Sequence, residues 1–522
     1  MKKKIVSALL CVAMIATMAT GCGGSKSSST SGNADSTAKQ FEINAAIAAN
    51  PPALDPHTVN ANVTGGIGIH IYEALFQMDE NYEPQPVLAE SYEMSDDGKE
   101  YTIKLRQGVK FHNGDEMKAD DVVASMNRWV ELSPKAKTLI DGSVFEKVDD
   151  YTVKLTVNEP SSDIIMVLAS PIQFAAIYPK SVVDSASDEG VKEYIGTGPY
   201  KVAEWKQDQY VKLEKYEDYQ PAEGESSGLA GAKNAQADTI TFNIVTDTAT
   251  RIAGVQNGQY DIAEDIPADQ YKDLAADKNL TMDVRSGGTL NLFLNTTEGV
   301  MADEKVRQAA LAALNCDDIL MASYGDADLY KLNAGWCNPD DAQWGTEAGS
   351  EYYNQNNIGK AKELLTEAGY NNEEIVLVTT PDYGEMYNAT LVVQAELQSA
   401  GINAVVESYD FATFMEHRAN PDQFSLYITS NRYNLNPVQL SVLTKDWAGL
   451  DRPEVDEGIA AIRMASSPEE SSAKWDDLQE FLYEYGAASV LGHYSGLMAT
   501  GAGVEGFNFF DFPLYWNVKV PA

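Results

Sequence analysis

Side chains that ligate metals or build disulfides are scarce in this sequence. Its five histidines stand at positions 57, 70, 112, 417 and 493. No two have the close helical or loop spacing of a zinc site, so a protein-held metal centre is disfavoured. Of four cysteines, Cys11 and Cys22 lie near the N-terminus and only Cys316 and Cys337 lie deep in the chain. Those two form either one disulfide or two buried thiols, since sequence supplies no distance between them. Basic residues are outnumbered, 38 against 78 acids, for a formal net charge of −40. Such a surface repels phosphate backbones and anionic headgroups, which argues against nucleic acid and against a basic-patch membrane mode. Long apolar runs are missing as well: the segment Ile5 to Met18 is shorter than the ~20 residues a membrane span needs. No repeat of about 20 to 50 residues is visible, which disfavours solenoids and propellers. Catalytic motifs are also wanting. GAGVEG at 501–506 satisfies G-x-G-x-x-G but stands too near the end of the sequence for a dinucleotide-binding unit to follow, and reads as a glycine-rich turn. GHYSG at 492–496 lacks the G-x-S-x-G order of a nucleophile elbow.

What is present begins with the N-terminus. Lys2, Lys3 and Lys4 precede the apolar run, which breaks at Ala19, Thr20 and Gly21 before Cys22. This is the three-part pattern of a secretory signal over residues 1–21. The small residues before Cys22 resemble a bacterial lipobox, in which the cysteine thiol takes diacylglycerol and the chain is cut before it. Two acyl chains, at ~0.8 kcal/mol per buried methylene, hold a protein on a membrane where one does not. A soluble secreted protein with an incidental Cys22 is the alternative. Residues 22–40, rich in Gly, Ser and Thr, read as a tether spanning on the order of 20 to 25 Å.

Beyond the tether, 44% apolar residues overall suffice for a large core and more than one domain. YTIKL at 101–105 and YTVKL at 151–155 alternate apolar with polar residues and follow polar turns, so both are predicted strands. Between them Val122, Val123, Met126 and Val130 recur at helical spacing behind Asp120 and Asp121, which suit a helix start. Val306, Ala310, Ala313 and Leu314 mark a second helix; Ala361, Leu364, Leu365 and Ala368 mark a third, closed by Gly369. TITFNIV at 239–245 and NLFLN at 291–295 are predicted strands. Residues alone thus define a mixed α and β protein without evident catalysis.

The stretch LAESYEMSDDGKEYTIKLRQGVKFHNGDEMKADDVVASMNRW, residues 88–129, resembles the signature region of the family 5 extracellular solute-binding proteins. Further similar pieces run in order: ALDP at 53–56, GTGPYKVAEW at 196–205, RIAGVQNGQYDI at 251–262, VRQAALAALN at 306–315 and AKELLTEAGY at 361–370. Most of these residues read as shapers of the fold: Gly108 and Gly114 as a turn around the core anchors Val109 and Phe111, and Gly196, Gly198 and Pro199 as a reversal into a strand from Tyr200.

The resemblance implies an α/β, periplasmic-binding-protein-like fold of the class II or cluster C type, with two lobes around a hinged cleft and an extra α+β domain. Lobe I would be residues 41–76, 194–288 and 492–522, the extra domain 77–193, and lobe III 289–491. It implies a monomeric, non-enzymatic receptor at the outer face of the bacterial cytoplasmic membrane, held there only by its lipid. The receptor would capture a peptide-like solute without cofactor and deliver it to the permease and ATPase subunits of an ATP-binding-cassette (ABC) importer. Ligand contacts are expected from His57, Thr58 and Asn60 after ALDP, from Tyr383 and Tyr387, and from Arg432, Tyr433, Asn434 and Asn436. With 27 tyrosines in the chain, a lone Tyr packs in a core as readily as it touches ligand. Two other functions stay open: a cell-surface hydrolase of peptides or glycans, and a sensory binding protein of the same fold.

In peptide-binding members the loop matching SNRYNLNP, 430–437, usually carries an aspartate that holds the ligand's amino group; here Asn436 precedes Pro437. Asp410 and Asp446 are the nearby alternatives for that charge. The resemblance therefore implies that an ordinary dipeptide with a free amino terminus is not the preferred ligand.

Overall fold

A computed structural model describes residues 41–520, apart from 60, 162, 188, 189 and 435. The signal, Cys22, the tether and Asn60 lie outside the described residues. The helix expected behind Asp120 runs from Ala119 to Leu132 and buries Val122, Met126, Trp129 and Val130. Asp121 closes its first turn by accepting the backbone N–H of Lys118 at 2.9 Å. YTIKL and YTVKL become adjacent antiparallel strands, Glu100–Leu105 and Thr152–Thr156, with Tyr101 opposite Leu155. They form the middle of a four-stranded sheet flanked by Ala89–Met94 and Val144–Asp149.

An eleven-stranded mixed sheet organises the rest. One end is made by Asn403–Ser408, Glu374–Thr379 and Leu426–Asn431; the other by Glu42–Ile47, Thr239–Ile244, Tyr210–Lys215 and Tyr200–Lys206. Two long antiparallel strands, Leu280–Leu294 and Ala488–Gly501, join the halves. NLFLN is the buried end of the first of these, and GHYSG lies inside the second. GAGVEG follows that strand as a turn, with Gly503 and Gly506 at positive φ. The pairing of the two long strands breaks between Ser286 and Gly288. At Gly288 a Cβ would lie 2.0 Å from the Asn431 carbonyl oxygen, so the chains approach as only glycine allows.

Two apolar cores lie on either side of this junction. One gathers Leu292, Phe293, Trp344, Leu377, Tyr427 and Trp475. The other runs without a break from Ile43 through Trp129 and Ile177 to Trp516. Residues 77–193 therefore share their core with those expected in lobe I. Cys316 and Cys337 are buried free thiols, and burial pushes the Cys316 thiol up to about 12.

The motifs that carry the family resemblance serve this architecture. Gly108 and Gly114 take positive φ around buried Val109 and Phe111. At Gly196 and Gly198 a Cβ would meet the Ile71 and His70 carbonyl oxygens at 2.1 and 2.6 Å, so GTGPY is where two backbones touch. Arg251 donates to the carbonyls of Val245, Thr246, Glu264 and Asp265. Arg307, fully buried, does the same for Met301, Ala302, Tyr485 and Gly486. Each buried guanidinium is thus hydrogen-bonded by backbone carbonyls without a carboxylate.

Candidate functional site

A cavity of about 880 Å³ opens where the two long strands cross, a size suited to a small solute. Its walls come from the end of the strand Glu42–Ile47, the start of the helix Asn62–Ile71, the irregular stretch Asp283–Gly287, and Arg432 and Tyr433. Tyr494 to Met498 and the hairpin of Asn508–Phe510 with Phe512–Leu514 complete it. Both cores thus contribute a wall, and the strands that join them form its floor.

Polar atoms in the cavity fall into two kinds. Some are engaged. Tyr433 shares a hydrogen bond of 2.7 Å with His493 Nδ1 and lies over its ring. Burial pushes His493 down to about 4, so this partner is neutral at physiological pH. Arg285 is paired with Asp283 and stacked on the rings of Phe507 and Phe509. Glu264 accepts the Tyr515 hydroxyl at 2.6 Å, yet burial and then the neighbouring Asp265 raise its carboxyl to about 7. Others are left wanting: Arg285 Nε and Asp511 Oδ2 are buried without a hydrogen-bond partner. Asp511 is the single residue linking the two strands of the C-terminal hairpin and takes φ 53°. Burial raises it to about 6, against the attraction of Lys135 and Arg432.

Of the residues expected to touch ligand, Arg432 and Tyr433 line this cavity. The other described ones are placed elsewhere. His57 is fully buried, with Nε2 2.9 Å from the Ala176 carbonyl oxygen, and burial depresses it to about 3. Thr58 donates to the Asp55 carbonyl. Asp55, the acid of ALDP, is a hub: it accepts two bonds from Arg128, at 3.2 and 2.6 Å, one from Tyr178, and the backbone N–H groups of His57 and Val191. Burial opposes its ionisation, but Arg128, His57 and Tyr178 hold it below the ordinary carboxylate range.

Tyr383 precedes the helix Gly384–Ser399 and packs on Phe411, 4.8 Å between ring centres; Tyr387 lies in that helix's first turn. Asn434 is partly buried and outside the cavity wall. Asn436 is buried, donates to Asp163 Oδ2 at 2.6 Å and accepts the Val438 N–H. It ties the 430s loop to residues of the other core, so its identity carries no information about ligand charge. Asp410 caps the helix Phe411–Arg418, and Asp446 sits in the short helix Lys445–Ala448; neither lines the cavity. Asp511, one of six carboxylates that line the cavity, went unnoticed in the sequence because nothing local distinguishes it among 78 acids.

Two apolar cores, a sheet passed between them on two long strands, and a solute-sized cavity at the crossing define a binding protein of the periplasmic type. The profile of "Bacterial extracellular solute-binding proteins, family 5 Middle" matches residues 83–444, and the chain belongs to that family. It is 27% identical over 496 residues to a probable peptide ABC transporter periplasmic-binding protein, y4tO, of Sinorhizobium fredii, covering 90% of this chain and 92% of that one. It is 31% identical over 385 residues to the glutathione-binding protein GsiB of Escherichia coli O1:K1, covering 71% and 70%. Its fold matches the crystal structure of the ABC transporter substrate-binding protein CtaP of Listeria monocytogenes with a TM-score of 0.79 at 20% identity, covering 90% and 96%. The protein is thus an extracytoplasmic solute-binding protein. Among the described residues no helix is long and apolar enough to cross a membrane.

Proposed function

We propose that this chain captures a peptide-like solute in the crossing-strand cavity and presents it, unaltered, to the permease of an ABC importer. One observation carries the reading: a cavity of about 880 Å³ has walls from both cores and lies where two long strands, with a break at Gly287 and Gly288, pass between them. A ligand touching both walls favours the closed arrangement by its differential affinity, and a permease can read that difference. The relatives named for peptides and for glutathione support a solute of this class. Arg432 and Tyr433 are the ligand contacts retained from the sequence, while His57, Thr58 and Asn436 hold the walls in place. Residues 41–76, 194–288 and 492–522 serve as one lobe, 289–491 as the other, with 77–193 built onto the first. Lipid on Cys22 keeps the monomer at the membrane, and ATP hydrolysis belongs to its partner subunits.

Calorimetry with a library of di- to pentapeptides, followed by chromatography of the mixture, tests the reading. One-to-one binding with every peptide recovered intact is expected. Steady cleavage by the pure protein would replace it with the hydrolase reading.

A further inference from the structure

Glycines crowd the strand crossing, and at most of them something already fills the space a side chain would take. At Gly287 a Cβ would lie 2.5 Å from the Tyr494 ring, at Gly288 2.0 Å from the Asn431 carbonyl oxygen, and at Gly492 2.3 Å from the Leu320 side chain. Gly496 is different. Its φ lies outside the left-handed region, and a Cβ there would meet no atom within 4 Å. Neither backbone conformation nor close packing calls for glycine at this position, although glycine inside a strand weakens it.

A glycine within a strand commonly marks a bulge or the close approach of a backbone or a ligand. Pairing across Gly496 is regular, Leu497 with Val284, Gly496 with Arg285 and Ser495 with Ser286, so there is no bulge at this residue. The empty Cβ position leaves no backbone to blame. Gly496 does line the cavity, as do Tyr494 and Met498, two residues away on either side and hence on the same strand face. The facing Arg285 is turned aside: its guanidinium is paired with Asp283 and stacked on Phe507 and Phe509.

We propose that the bare backbone at Gly496 is the floor of a subsite for a bulky apolar side chain of the solute, which makes Gly496 the residue that limits how large a side chain the cavity admits. This deepens the peptide reading and rests on it. The cavity wall brings aromatic and aliphatic surface from Tyr494, Met498 and Phe509, and the two charges on the facing strand are paired with each other. Any side chain at 496 would take the space before a ligand could.

The test titrates the full mature chain with tetra-alanine and with the four peptides that carry one Phe in place of each Ala in turn. Burying a phenylalanine ring strengthens binding by roughly ten- to a hundredfold, so one Phe peptide is expected to exceed tetra-alanine by that factor. Gly496→Leu is expected to bring that peptide down to the level of tetra-alanine, with Gly496→Ala between parent and leucine variant. Should the leucine variant not fold, Gly496→Val, β-branched and suited to a strand, replaces it.

Equal losses for every peptide in Gly496→Ala and Gly496→Leu would mean that the glycine serves the backbone of the crossing, and would overturn the proposal while peptide capture stands. So would a parent without Phe preference, or a preference that survives Gly496→Leu. If the parent binds none of these peptides, the peptide reading fails and the subsite is judged by Gly496→Cys. Cys316 and Cys337 are buried, so rapid reaction of the introduced thiol with a small methanethiosulfonate, located by peptide mass, keeps the open position, and an unreactive thiol overturns it.

Discussion

Two sets of buried charged groups in this protein contrast sharply. Around ALDP and the core that runs from Ile43 to Trp516, the buried charges of Asp55, Glu73 and Lys233 are answered. Asp55 takes five hydrogen bonds. Lys233 and Glu73, side chains 0% and 1% exposed, pair at 3.2 Å, with Gln77, Thr197 and Tyr219 completing the group. In the cavity Asp511 and Arg285 keep unbonded atoms, and Glu264 is pushed toward neutrality. The first set fixes one structure; the second leaves bonding capacity for something the protein does not itself contain. Family motifs therefore mark the scaffold, and the cavity is lined by segments that none of those motifs covers.

The contrast breaks most visibly if the scaffold charges are removed. Asp55→Ala strands Arg128, whose side chain is 9% exposed, and is expected to cost about 3 to 5 kcal/mol in urea unfolding. A loss below about 1 kcal/mol would place Asp55 with the spare groups. Arg307→Met removes the donor from four carbonyls, two of them in buried bonds; chemical denaturation should show a loss of about 3 kcal/mol with peptide affinity of the folded fraction unchanged. Gly198→Ala sets a methyl 2.6 Å from the His70 carbonyl oxygen and should cost about 1 to 3 kcal/mol, read as a lower Tm.

How much of this was legible in the sequence follows from the same division. The helix Ala119–Leu132 was, because Val122, Met126 and Val130 repeat at helical spacing behind an acidic start. The strands at 101–105 and 152–156 were, because one face of each is buried and the alternation survives. The strand Leu280–Leu294 was legible only in its second half. Its first half runs along the cavity and obeys the site rather than a core, so Asp283, Arg285 and Gly287 spoil the pattern. Arg432 and Tyr433 stand on the cavity wall because of the loop they occupy. His57 was placed in the site although its ring is spent on Ala176, and Asp511 was missed because only a fold that buries a hairpin tip makes an acid there distinctive.

The smallest expected effect reverses the sign of the others. The Asp511 carboxyl titrates at about 6 in the folded chain, above its usual 3.8, because burial disfavours its charge. Its contribution to stability is present below pH 4 and is lost as the pH rises through 6. Asp511→Asn, which carries no charge to bury, should therefore raise Tm of the ligand-free protein above pH 6.5. The gain is on the order of 1 kcal/mol and vanishes near pH 4. Equal Tm values at pH 7.5 would mean that Asp511 is already compensated within the protein.

A crystal structure of the chain with the peptide it binds best tests the central claim most directly. The account requires the peptide in the cavity between the two cores, intact and touching Arg432 and Tyr433. A peptide bound elsewhere, or recovered cleaved, would contradict it.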